Sequence, residues 1–208
     1  MLGPAAAEAL PGGIDPAQRD AVAHTTAAAL VRGAREAEDP AVIDRLVRLV
    51  ETEGLDAVAA LWADSPATSL PGALWRLYVL REWVRRDAGT VSLRYRLGLD
   101  AAPAGGGPAG PTVSEVVAGL GAGPGPEEVG RLADAVLSGV FAGELDVALD
   151  RAGSFCRILA RGAAHDADAR EAADADAAVR MTRGASALQR TAEELEHAAA
   201  LWRGGLLE

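Results

Sequence analysis

No lysine and no asparagine occur among the 208 residues, and cysteine, histidine and aromatic side chains are scarce. Without lysine there can be no Schiff base on a lysine amine and no P-loop lysine. The single cysteine, Cys156, rules out an internal disulfide and any all-cysteine metal site. Aromatics make up only 4% of the chain, so a core has to be assembled mainly from Ala, Leu and Val, and helices built of such residues must approach closely to bury them. There is no long uncharged apolar run and no basic leader with an apolar stretch behind it, so the expectation is a cytoplasmic protein that does not enter a membrane. HExxH, GxSxG and cysteine pairs are all missing, which leaves no catalytic residue, metal or cofactor to name.

Positive charge is also in short supply. Twenty basic residues face thirty acidic ones, for a net charge of −10 and a pI near 4.8. Such a surface repels polyanions unless basic residues are gathered on one face. That makes nucleic acid a disfavoured partner and directs attention to where the arginines are.

What is present is helical patterning. After a Gly/Pro-containing tail over 1–14, Asp15-Pro16 and Asp39-Pro40 each supply an N-cap carboxylate followed by a proline at the first helical position. Helices are predicted over 16–38, with a small-residue seam of Ala23, Ala27, Leu30, Ala34 and Ala37, and from 40, where Ile43, Leu46, Val47 and Val50 form a stripe ended by Gly54. A third short helix, Leu55 to Ala63, stops before Ser65-Pro66. Residues 100–111, DAAPAGGGPAGP, read as a linker between helical halves at 15–99 and 112–208, with one integrated domain over 15–208 as the alternative. No β-branched strand precedes this stretch or Gly119 to Gly125, so neither reads as a nucleotide loop.

The segment Leu70 to Gly98 carries Trp75, Tyr78, Trp83 and Tyr95 together with most of the clustered arginines. From just after Pro71 to Val84 its apolar residues surround the helix, as expected of an element that others pack around. From Trp75 to Gly98 the local charge is +4, against −14 for the remainder. Arg81 and Arg85 lie one turn apart, an unfavourable like-charge pair unless a carboxylate or other anion answers them. Arg81, Arg85, Arg86, Arg94 and Arg96 are therefore the candidate binding face for an anion or acidic partner, since guanidinium matches carboxylate and phosphate in two-pronged contacts. The competing reading makes them internal staples of an acidic bundle.

In the second half, Thr112 and Glu115 have capping-box spacing. Helices predicted at 127–141 and 144–161 form an αα-hairpin, with Cys156 on the apolar stripe as a buried thiol. Residues 163–177 read as a solvated acidic connection, their spacing failing the calcium-loop pattern. A final helix over 175–203 repeats every seven residues: Ala178, Ala185, Ala192 and Ala199 in one row, Met181, Leu188, Leu195 and Trp202 in the other. This seam predicts close helix pairing, with the first helix of the same chain, with a second copy, or with a coiled-coil partner.

The fold class is therefore all-α, a bundle of about seven to eight helices without a sheet, ending in a long heptad-patterned helix. The run Leu74-Trp75-Arg76-Leu77-Tyr78 through Arg81-Glu82-Trp83, with Tyr95-Arg96-Leu97-Gly98, resembles an uncharacterised helical family of high-GC actinobacteria, a resemblance that implies no activity. The functional expectation is a non-enzymatic protein acting through protein contacts, as a regulator or adaptor. A DNA-binding transcriptional regulator and an enzyme with a dispersed site are the alternatives.

Overall fold

The computed structural model describes residues 16–32, 54–101, 125–137 and 144–208. These form seven helices with no strand among the described residues: α1 Pro16–Arg32, α2 Leu55–Trp62, α3 Leu70–Arg86, α4 Ala88–Asp100, α5 Pro126–Leu137, α6 Leu145–Arg170 and α7 Ala175–Arg203. The expected helices from 40 and from Thr112, the N-terminal tail and most of the Gly/Pro linker lie outside the described residues. None of the described helices is long and apolar enough to cross a membrane.

Local chemistry accounts for the helix boundaries around α3. Ser69 caps its start, accepting the Gly72 N–H at 3.3 Å while donating to the Pro66 carbonyl at 2.8 Å, so the helix begins at Leu70, with Pro71 in its first turn. At the other end Asp87 serves two helices. Its N–H donates to the Trp83 carbonyl at 3.0 Å, and its carboxylate accepts the Thr90 N–H at 3.4 Å to open α4.

One buried core runs through residues of all seven helices. Trp62, Leu74, Leu77, Leu149, Phe155 and Leu159 are all fully buried, each contributing about 1.5–3 kcal/mol by leaving water. The Trp62 indole N–H donates to the Thr26 hydroxyl at 3.1 Å, and that hydroxyl donates onward to the Val22 carbonyl at 2.9 Å. Burying the largest side chain of α2 thus leaves no polar atom unpaired, and it ties α2 to α1.

Two sequence expectations change in the C-terminal half. Gly162 does not end α6, which continues to Arg170 on alanine-rich sequence, so much of the supposed acidic connection is helix. Only residues 171–174 turn, and the Asp174 carboxylate then accepts the Ala177 N–H at 2.8 Å to start α7. The main partner of α6 is also α7, its immediate successor, and not the helix before it. Arg203 of α7 reaches Asp150 at 2.7 Å and Asp146 at 3.2 Å near the start of α6, which shows the pair to be antiparallel.

Helix α6 is clasped on two sides by close backbone approach. A Cβ placed on Gly98 of α4 would sit 1.9 Å from the Ile158 carbonyl oxygen, and one on Gly162 would sit 1.9 Å from that of Arg94. The two backbones touch at this crossing, which seats Tyr95 against Phe155 with ring centroids 5.7 Å apart. Toward α7, a Cβ on Gly153 would meet the Ala192 oxygen at 3.2 Å.

Candidate functional site

The five candidate arginines divide by helix and by partner. On α3, Arg81 is only 13% exposed in its side chain and is held by Asp134 of α5 and by Glu82 at 2.5 Å. Arg86 reaches Glu82 at 3.3 Å from an exposed position. Arg85 is exposed and makes no ion pair with any described residue. These three border a cleft of about 460 Å³ together with Leu55, Asp56 and Glu82. On α4, the Arg94 guanidinium lies 5.8 Å from the Trp83 ring centroid, and its Nε is buried with no hydrogen bond among the described residues. Arg96 is exposed and makes no ion pair with any described residue.

The like-charge problem between Arg81 and Arg85 is resolved by divergence. Arg81 turns inward to two carboxylates, and Arg85 turns to solvent. Tyr78 of α3 donates its hydroxyl hydrogen at 2.9 Å to Asp56, which lines this cleft. Burial and that bond push its pKa up to about 12.

Helix α3 is not buried on all sides. Trp75, Val79 and Trp83 recur at four-residue steps along its outer side. Val79 is 45% exposed and both tryptophans are partly exposed. Opposite them stand Leu188 and Thr191 of α7, with Cys156 of α6 also lining the space, and together they enclose a groove of about 390 Å³. Its polar end is closed by Arg76, whose Nε donates to Glu194 at 2.6 Å and whose Nη1 donates to the Gly72 carbonyl at 2.9 Å. Burial pushes the Cys156 thiol up to about 12, with Glu196 adding to the shift, so the sulfur stays protonated and is a poor nucleophile near neutral pH.

The heptad seam of α7 also divides. Ala178, Ala185, Ala192 and Ala199 are buried, as is Leu195, and the Ala192 carbonyl oxygen lies 3.2 Å from where a Cβ on Gly153 of α6 would sit. Met181, Leu188 and Trp202 are partly exposed. Across the α6–α7 contact, Arg157 and Glu196 make a two-pronged pair at 2.6 and 2.5 Å. The acidic residues around His165 lie along the end of α6 and the turn after it. No three His, Cys, Asp or Glu side chains come together to hold a metal among the described residues.

Sequence reasoning missed Arg76 and the groove. The Trp75, Val79, Trp83 spacing was visible, but on a helix apolar all round no residue marks which side stays open. The Arg76–Glu194 pair joins residues 118 apart in the chain, and no periodicity reports a contact of that separation.

No protein-family model matches the chain, and no curated protein and no solved structure matches it.

Proposed function

We propose that this is a non-enzymatic helical protein of the cytoplasm that acts by contact with an acidic partner protein, in a regulatory or adaptor role. One observation carries the reading. In a chain of net charge −10, Arg85 is held out to solvent without an ion pair to any described residue, beside Arg81 and Arg86 at one cleft. Arg81 and Arg86 are answered by Glu82 and Asp134, so Arg85 is the guanidinium at this cleft that stays available to an incoming carboxylate. The inner side of α3 is committed to the core through Leu74, Leu77, Leu80 and Val84, which favours a protein partner over insertion of this helix into a DNA groove.

The test is charge reversal at positions that do not support the fold. Arg85→Glu with Arg86→Glu leaves the thermal midpoint within about 2 °C of wild type, because exposed pairs contribute little. The double variant loses the partner recovered with the wild-type protein from its own cells. Retained partner binding by a folded double variant refutes the reading.

A further inference from the structure

We propose that the groove between α3 and α7 receives the apolar face of an acidic amphipathic helix belonging to a partner protein. The proposal rests on the acidic-partner reading above and gives that partner a shape and a second point of attachment. Trp75, Val79 and Trp83 form a ridge stepping by four residues along α3, and Leu188 faces them from α7. A groove walled by two helices, presenting large apolar side chains at helical intervals, is matched by apolar residues at i, i+3, i+4 and i+7 of an incoming helix. A helix also brings its backbone hydrogen bonds already made, whereas an extended chain would leave its own unpaired against these apolar walls. Gly184 lies one turn before Leu188 on α7, and no described residue stands within 4 Å of where its Cβ would be.

Charge selects the sign of the partner. Glu194, the carboxylate that lines the groove, is already engaged by Arg76. The arginines are not all answered. Arg180 stands one turn before Gly184 on the line that leads to Leu188, and Arg183 and Arg190 fall on the neighbouring line that ends at Glu194. All three are exposed and make no ion pair with any described residue. The α7 side of the groove thus continues along the helix into guanidinium groups that have no ion pair to any described residue, on a protein of net charge −10. An acidic helix is steered to these groups and repelled elsewhere, while a basic one meets the reverse.

The test uses the intact protein and three fluorescein-labelled synthetic peptides, with binding read by anisotropy at low and moderate salt. The first is an amphipathic helix with Leu and Phe on one face and Glu on the other. The second is its scrambled isomer, and the third carries Lys in place of every Glu. We expect the first to bind at least about tenfold more tightly than either control. Val79→Arg is the diagnostic change because its side chain is exposed and it adds positive charge. Binding by charge alone strengthens with this variant. Binding through the groove weakens by about tenfold or more at unchanged thermal midpoint, and Arg180→Glu with Arg183→Glu weakens it separately.

Equal binding of the amphipathic and scrambled acidic peptides, lost in Arg85→Glu/Arg86→Glu but not in Val79→Arg, overturns the groove and leaves the acidic-partner reading standing. Failure of both acidic peptides to bind up to millimolar concentration overturns both. Binding of the Lys peptide or of duplex DNA in place of the acidic helix overturns the charge assignment and with it the proposal. A dimer in solution that Val79→Arg dissociates puts a second copy in the groove and overturns it as well.

Discussion

Helix α7 makes two contacts of opposite character. Against α6 it offers small residues, and the backbones close until the space over Gly153 is filled by Ala192 and Glu196. Against α3 it offers Leu188, which faces Trp75 and Trp83, and a cavity of about 390 Å³ remains between them. The comparison shows that bulk at a helix contact does not ensure tightness. Small side chains let helices approach until main chain touches main chain, whereas large ones on both sides hold the axes apart unless their shapes interlock. The tight contact is a place for stability, and the propped one is a place for another molecule.

The largest expected effect is at the other close backbone approach of α6, its crossing with α4. Gly98→Ala puts a Cβ 1.9 Å from the Ile158 carbonyl oxygen, a clash with main chain that no rotamer change relieves. Loss of about 3 kcal/mol or more is expected by urea denaturation, and a variant as stable as wild type would show that α4 and α6 do not cross here. Gly184→Ala, one turn before Leu188 on α7, is the contrasting change. With open space at the Cβ position of Gly184 inside α7, the change stabilises the protein by about 0.5–1 kcal/mol in the same assay. A loss of stability there would mean that the space beside Gly184 is filled in the folded protein.

The smallest effect at neutral pH belongs to Tyr78→Phe, and its signature is in the alkaline range. The folded pKa of Tyr78 is raised from 10.0 to about 12, so the native state holds its proton more tightly than the unfolded chain. Stability from this group is complete below pH 10 and is lost as pH rises from 10 to 12. The Cys156 thiol, also raised to about 12, titrates in both proteins and cancels in the difference. Wild type minus variant stability, measured by denaturation at intervals across that range, therefore declines with pH. A flat difference would remove the Tyr78–Asp56 bond from the folded state.

Much of this architecture was legible in the chain. The burial of Cys156 and of the row Ala178, Ala185, Ala192 and Ala199 follows from apolar residues recurring at helical intervals, because burial is what that spacing expresses. The continuation of α6 through Gly162 was not legible. A glycine reads as a stop unless its neighbour is known, and here the neighbour is the backbone of α4. The candidate arginines were identifiable by type and density, but their division was not: Arg81 has Asp134 within reach only because α5 packs on α3.

By itself, the sequence determined an all-helical chain short of aromatics, acidic overall, with its densest run of arginines in and just after α3 and its small residues in rows. Those properties are local, set by side-chain size, charge and a repeat of 3.6 residues. Only the tertiary structure decided that the alanine row meets α6, that Arg81 turns inward while Arg85 stays out, and that the ring of apolar residues on α3 opens at Val79. Each of these depends on which residues far apart in the chain come to occupy the same space, and a helix alone carries no record of what will stand beside it.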